Sequence, residues 1–184
     1  TPKKGLFFNA IKKKIEKKNI LSKKVKKFST LTNSSFEKAN IGIIIAGRAK
    51  SHRLKNKALK KIDKKTSIER CLESCLKIKS AKKVILATSY LKSDDSIVDL
   101  KFKKGIKTFR GHPNDVIDRY IKAAKKYNLN VIIRGTADCP YISSEIVNYL
   151  MVSHFKSGAD FTFASNAAPG TSAEIYNLGT LQFI

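Results

Sequence analysis

The chain is short of negative charge: 14 acidic residues face 38 basic ones, leaving a net charge of +24 over 184 residues. Cysteine is scarce too, with Cys71, Cys75 and Cys139 alone. No apolar run approaches the roughly 20 residues that cross a bilayer, so no membrane span is expected. Aromatic residues make up 9% of the chain. They are too thinly spread among the basic runs to build a stacking platform, so no nucleic-acid partner is expected. The cysteine pattern lacks the ligands of a zinc site. Without a secretory leader, it suits a reducing compartment, which points to the cytoplasm. Cys71 and Cys75 are four apart and read, with Leu72, Leu76 and Ile78, as the buried face of a helix. Cys139 is a candidate thiol beside Asp138, with no histidine near it in sequence.

Several motifs are missing as well. There is no Gly-x-x-x-x-Gly-Lys-Ser/Thr loop and no Gly-x-Gly-x-x-Gly turn, which weighs against P-loop and dinucleotide-binding readings. There is no Gly-x-Ser-x-Gly elbow, so a hydrolase triad has no support. His112 and His154 have no metal-ligand spacing, and His52 reads as a solvent-facing side chain.

What is present is a hydrophobic content of 42%, enough for one domain with a core and an appendage. The first residue is Thr1, which suggests a processed chain or part of a longer protein. Residues 1–40 carry twelve lysines and two acids, Glu16 and Glu37. Phe8, Ile11 and Ile15, then Leu21, Val25 and Phe28, recur at helical spacing between the lysines. The segment reads either as a basic amphipathic extension for a membrane surface or as the end of an upstream domain. The polar run Ser29–Ser35 then marks a boundary, leaving residues 41–184 as the main domain. The positive charge itself fits either a lysine-rich surface or an anionic partner.

From Ile41 onward strands and helices alternate. Strands are expected at 41–46, 83–88, 106–109, 130–134 and 160–164, and another at 173–176. Helices are expected at 67–79, 94–102, 113–127 and 143–156. The apolar run Ile41–Ala46 is that of a strand buried on both faces. This order predicts an α/β fold with a mostly parallel, Rossmann-like sheet between helix layers. In such sheets ligands lie beyond the C-terminal strand ends. There, the loop after the first strand offers Arg48, Lys50, Ser51, His52, Arg53, Lys55 and Lys57. Arg48 and Arg53 have the fork that grips phosphate oxygens, and Lys57 is a point charge. At the end of the 130–134 strand, Asp138 offers one carboxylate. Mg2+ takes one or two carboxylates plus waters and phosphate oxygens, so Asp138 is the candidate ligand and Glu174 the nearest second one. Each feature also has a plainer reading: a solvated basic loop, and a carboxylate at a turn before Pro140.

The run Ile43-Ile-Ile-Ala-Gly-Arg48-Ala-Lys-Ser51-His-Arg53-Leu-Lys-Asn-Lys57 resembles the opening motif of cytidylyltransferases of the spore-coat polysaccharide type, relatives of the CMP-sialic acid and CMP-octulosonate synthetases. Val84–Thr88, Phe109-Arg110-Gly111, Asp115-Val-Ile-Asp-Arg119-Tyr120, Arg134-Gly-Thr-Ala-Asp138-Cys-Pro140 and Gly158-Ala-Asp160 follow in the family's order. The resemblance implies the nucleotide-diphospho-sugar transferase sandwich. It implies that Arg48, Ser51, Arg53 and Lys57 bind the CTP phosphates, that Thr88 borders the cytidine pocket, and that Arg110, Asp115 and Arg119 lie near nucleotide and sugar. It makes Asp138 the Mg2+ ligand and Arg48, Lys57 and Asp138 the catalytic set. The implied reaction is attack of a sugar-acid hydroxyl on the α-phosphate of CTP, with pyrophosphate released, for cell-surface glycans. A homodimer is implied too.

The sequence departs from the family pattern at three points. Lys55-Asn56 replaces Pro-Gly, Ala49-Lys50 replaces Met-Gly, and Ser172 stands where a second acidic ligand belongs, leaving Glu174 to assist Asp138. These departures keep open a different class of function: a catalytically degenerate nucleotide-binding or interaction domain of a longer protein.

Overall fold

The computed structural model describes residues 36, 38–50, 54, 56–100, 102 and 105–183. The amphipathic pattern before Ser35 therefore lies outside the described residues, as do Ser51, His52 and Arg53. In chain order the strands are β1 (Ile41–Ala46), β2 (Lys61–Ile62), β3 (Lys65–Thr66), β4 (Lys83–Ser89), β5 (Ile106–Gly111), β6 (Val131–Thr136), β7 (Phe161–Thr162) and β8 (Glu174–Asn177). The helices are α1 (Ser67–Cys75), α2 (Asp95–Val98), α3 (Val116–Lys126), α4 (Ser144–Ser157) and α5 (Leu178–Leu181).

The main sheet runs β5-β4-β1-β6-β8-β7. Its first four strands are parallel, and β8 is antiparallel to both neighbours. Strand β1 occupies the centre because its side chains are apolar on both faces. Ile43 and Ile45 face α1 and α4 in one core, where Ile68, Leu72, Val147 and Met151 are buried. Ile44 faces α3 and α5 in the other, with Tyr120, Ala123 and Leu181. Each fully buried isoleucine contributes roughly 1.5–3 kcal/mol, so one six-residue strand anchors both helix layers. This is the three-layer α/β architecture anticipated from the sequence.

The helix starts follow local chemistry. Thr66 and Glu69 close a reciprocal capping box at α1, and Asp115 and Ser143 accept the N–H of Asp118 and Ile146 at the starts of α3 and α4. Gly158 ends α4 at φ 62°, the left-handed conformation that suits glycine.

Some boundaries differ from expectation. Helix α1 stops at Cys75, and Leu76 is 37% exposed rather than core. In the expected helix 113–127, Ile117 belongs by apolar spacing to the inward stripe, but it is 41% exposed on α3. The short hairpin β2–β3 and the turn of helix α5 were not expected. Helix α2 is four residues long, ending at Val98 where a helix to 102 was expected. Among the described residues no helix is long and apolar enough to cross a membrane.

Candidate active site

The chain runs from β1 outward to β4 and β5, then returns on the opposite side of β1 to form β6. Such a reversal opens a crevice at the C-terminal strand ends. Ala46 pairs in register with Thr136. Beyond that pair, the Ala137 N–H donates to the Ala46 carbonyl at 2.9 Å and the Gly47 N–H to the Ala87 carbonyl at 3.1 Å. The two loops pass so closely that a Cβ on Gly47 would lie 2.9 Å from the Cβ of Ala137.

The crevice has a volume of about 440 Å³. The β1 side contributes Arg48, Lys50 and Lys57; α3 contributes Arg119; β6 and its loop contribute Arg134, Thr136 and Asp138. Five cations and one carboxylate therefore face one space, a charge balance that favours an anionic ligand. Arg48 is aimed by the Pro113 carbonyl, which accepts from its Nη1 at 2.7 Å. The Lys57 ammonium sits 2.9 Å from Asp138 Oδ2, and the Thr136 hydroxyl donates to Asp138 Oδ1 at 2.5 Å. Burial works to raise the Asp138 pKa, but the Thr136 hydroxyl and the Lys57 ammonium outweigh it and hold the carboxyl below its usual range. Asp138 is therefore ionised at neutral pH.

The loop after β1 is fastened from behind by Asp94, a residue that sequence reasoning passed over. Its carboxylate is 1% exposed. Oδ1 accepts from the Ala49 N–H at 2.8 Å, and Oδ2 accepts from the Ser89 hydroxyl at 2.5 Å and the Ser89 N–H at 3.3 Å. In sequence Asp94 looks like any acid at a helix start, and nothing local marks its partner in another loop. Arg134 was seen but given no role. Its Nη1 donates to Glu174 Oε2 at 2.6 Å, across β6 and β8, and its guanidinium lies over the Tyr120 ring. A cation near the end of an otherwise apolar strand was the available signal.

Of the site residues expected from the sequence, Arg48, Lys57, Arg119 and Asp138 come together in the crevice. Ser51 and Arg53 lie outside the described residues, and the remaining four are placed elsewhere. Thr88 is fully buried at the end of β4. Arg110 bonds the Ser89 and Leu91 carbonyls and pairs with Asp95 at 2.6 Å. Asp115 caps α3. Glu174 is held by Arg134 and by the Tyr176 hydroxyl at 3.1 Å. The Cys139 thiol is half-buried, and burial followed by the neighbouring Asp138 charge pushes its pKa up despite the Thr136 hydroxyl. It is therefore a protonated thiol rather than a nucleophile.

The donor set can be tested against a divalent ion. Among the described residues no group of three or more His, Cys, Asp and Glu side chains is placed to hold a metal. Asp138 supplies one ionised carboxylate, which fits Mg2+ when phosphate oxygens and waters complete its shell. Glu174, turned to Arg134, adds nothing to that shell in this arrangement.

Comparison with known proteins gives a consistent picture. A family model described as cytidylyltransferase matches residues 42–183. The spore coat polysaccharide biosynthesis protein SpsF of Bacillus subtilis is 31% identical over 146 residues, 77% of this chain and 61% of that protein. A cytidylyltransferase structure from Leptospira borgpetersenii superposes with a TM-score of 0.73 at 31% identity, covering 79% of this chain and 63% of that one. CMP:2-keto-3-deoxy-manno-octonic acid synthetase, solved with CTP, shares the fold at a TM-score of 0.61 and 17% identity, covering 78% of this chain and 76% of that one. The chain spans about six tenths of the length of the curated relatives it matches, 58% and 61%.

Proposed function

The chain belongs to the cytidylyltransferase family, and from that premise we propose that it transfers CMP from CTP to a sugar acid of the nonulosonic type, in the making of cell-surface glycans. The observation that carries the proposal is the crevice itself, in which Arg48, Lys57 and Asp138 face one another beyond β1 and β6.

In the proposed reaction a sugar hydroxyl oxygen bonds to the α-phosphorus of CTP. The bond to the bridging oxygen breaks, pyrophosphate leaves, and the hydroxyl proton passes to solvent. Negative charge gathers on the phosphate oxygens during transfer, and fixed cations stabilise it at no cost in reorganisation. Arg48 is pre-aimed by the Pro113 carbonyl. Lys57 is oriented by Asp138 and supplies a second positive charge. Ser51 and Arg53 are assigned to the same phosphates by their place in the motif. The family resemblance assigns Thr88, Arg110 and Asp115 to the nucleotide side. Asp138 would hold Mg2+, which when bound neutralises phosphate charge, while Glu174 keeps Arg134 in place.

The test is pyrophosphate release from CTP with Mg2+ and a panel of nonulosonic acids. Activity that depends on CTP and on one such acid supports the proposal; release that ignores both sinks it. A second reading, a nucleotide-binding module without turnover, is favoured by one feature. Ser172 uses its hydroxyl on the Ala173 carbonyl at 3.2 Å and offers no carboxylate. CTP binding without product over the whole panel would support that reading.

A further inference from the structure

Arg119 is an outlier in this molecule. Its side chain leaves the first turn of α3 and lines the crevice, yet the residue is 1% exposed. Its Nε and Nη1 are enclosed without any hydrogen-bond partner. A buried guanidinium ordinarily has its donors filled, because an unpaired buried charge is among the costliest features of a fold. Here the nearest acids are spoken for. Asp94 is bound to Ala49 and Ser89, and Asp115 caps α3. The neighbouring cleft cation, Arg48, adds repulsion, so burial first and Arg48 second both work against the charge on Arg119. The chain nevertheless makes room for this side chain: a Cβ on Gly111 would lie 2.9 Å from Arg119 Cγ.

We propose that Arg119 is a buried anion receptor, taking an anionic oxygen of the substrate, a nucleotide phosphate or the carboxylate of the acceptor, at the inner wall of the crevice. The charge is left unpaired in the free protein so that the ligand completes it. This deepens the nucleotidyl-transfer reading and rests on it only for the identity of the molecule that carries the anion.

The trade between stability and binding supplies the test. In the 184-residue chain, Arg119→Met keeps the length of the stem and removes the charge. The free variant is expected to melt higher than the parent, since an unpaired buried charge has gone, and to lose at least tenfold in affinity for the anion. Calorimetric titrations with pyrophosphate, N-acetylneuraminate, CTP and cytidine identify the carrier. A loss for pyrophosphate and CTP, with cytidine unchanged, assigns a phosphate; a loss for the sugar acid alone assigns the carboxylate. Equal affinities in parent and variant for all four overturn the receptor while leaving the nucleotidyl-transfer reading intact. Parent binding of pyrophosphate but not CTP, lost in the variant, sinks that reading and keeps the receptor. A Met variant that folds, melts lower than the parent and binds all four ligands as the parent does makes Arg119 structural and overturns the proposal. Should it not fold, Arg119→Lys, which keeps a charge but not the fork, is expected to fold and bind the same anion more weakly. Unchanged binding there overturns the proposal as well.

Discussion

The carboxylate of Asp94 accepts a hydrogen bond from the backbone N–H of Ala49 at 2.8 Å, joining two loops that are 45 residues apart in sequence. Arg48, the residue before Ala49, lines the crevice, so the bond fixes the backbone from which a site cation projects. Asp94→Ala would strand the N–H groups of Ala49 and Ser89. Its expected cost is about 2–3 kcal/mol, from hydrogen bonds to a charged acceptor. Urea unfolding measures that cost. In a turnover assay KM for CTP should rise, because the basic loop is no longer held.

Lys57 and Asp138 behave differently. Their side chains are 44% and 41% exposed, so their ion pair is worth only ~0–1 kcal/mol to the fold. Asp138→Asn should leave the melting temperature nearly unchanged while reducing CTP-dependent pyrophosphate release by about 10²-fold or more, the scale for losing one transition-state contact. A variant that folds and turns over like the parent removes Asp138 from the site.

Gly47→Ala probes the contact between the two loops. The added methyl meets Ala137 at 2.9 Å, and the neighbouring carbon is backbone-borne and cannot swing aside. Overpacking of this kind costs about 1–3 kcal/mol. A thermal melt should show the loss, and the Asp138 turn should move away from Arg48.

His154 sets a pH response remote from the crevice. Asn177 gives its Nδ2 to Asp160 Oδ1 at 2.9 Å, so its Oδ1 faces His154 Nε2 at 3.0 Å. Nε2 then carries the proton, and Nδ1 accepts from the Thr162 hydroxyl at 2.9 Å. Burial lowers the His154 pKa, against the smaller opposing pull of Asn177 and Asp160. The unfolded chain, with its histidine near 6.5, therefore binds more protons than the folded one just below that pH. The stability contributed by neutral His154 is complete above about pH 6.5 and declines as pH falls through that value toward the lowered folded pKa. Denaturant midpoints between pH 7 and 5 should show the decline, and His154→Gln should flatten it.

The sheet was legible in the sequence because β1, β4 and β6 are apolar on both faces, a pattern independent of what they touch. The cap of α4 and its stop at Gly158 were legible for local reasons. Where partners lie far along the chain, local signals failed. The bonds of Asp94 to Ala49 and Ser89 cross between loops and leave no local trace. The β2–β3 hairpin turns at Asp63 with φ 57° and carries no glycine to announce it. Arg48, Lys57 and Asp138 were expected beyond the strand ends from position and charge, and they line one crevice. The isolation of Arg119 could not be foreseen, since sequence records which groups exist and not which are already engaged.

The pairing of β1 with β6 has a bearing on how the protein is made. Ile41 meets Val131, a closure over roughly ninety residues that carries a larger entropic toll than the nearer β1–β4 and β4–β5 pairings. During synthesis the β1–β4–β5 unit has its partners first, and the ribosome must deliver β6 before Asp138 can meet Lys57. The crevice is thus completed late in assembly, and nascent chains halted before residue 131 would hold the basic loop without its acidic counterpart.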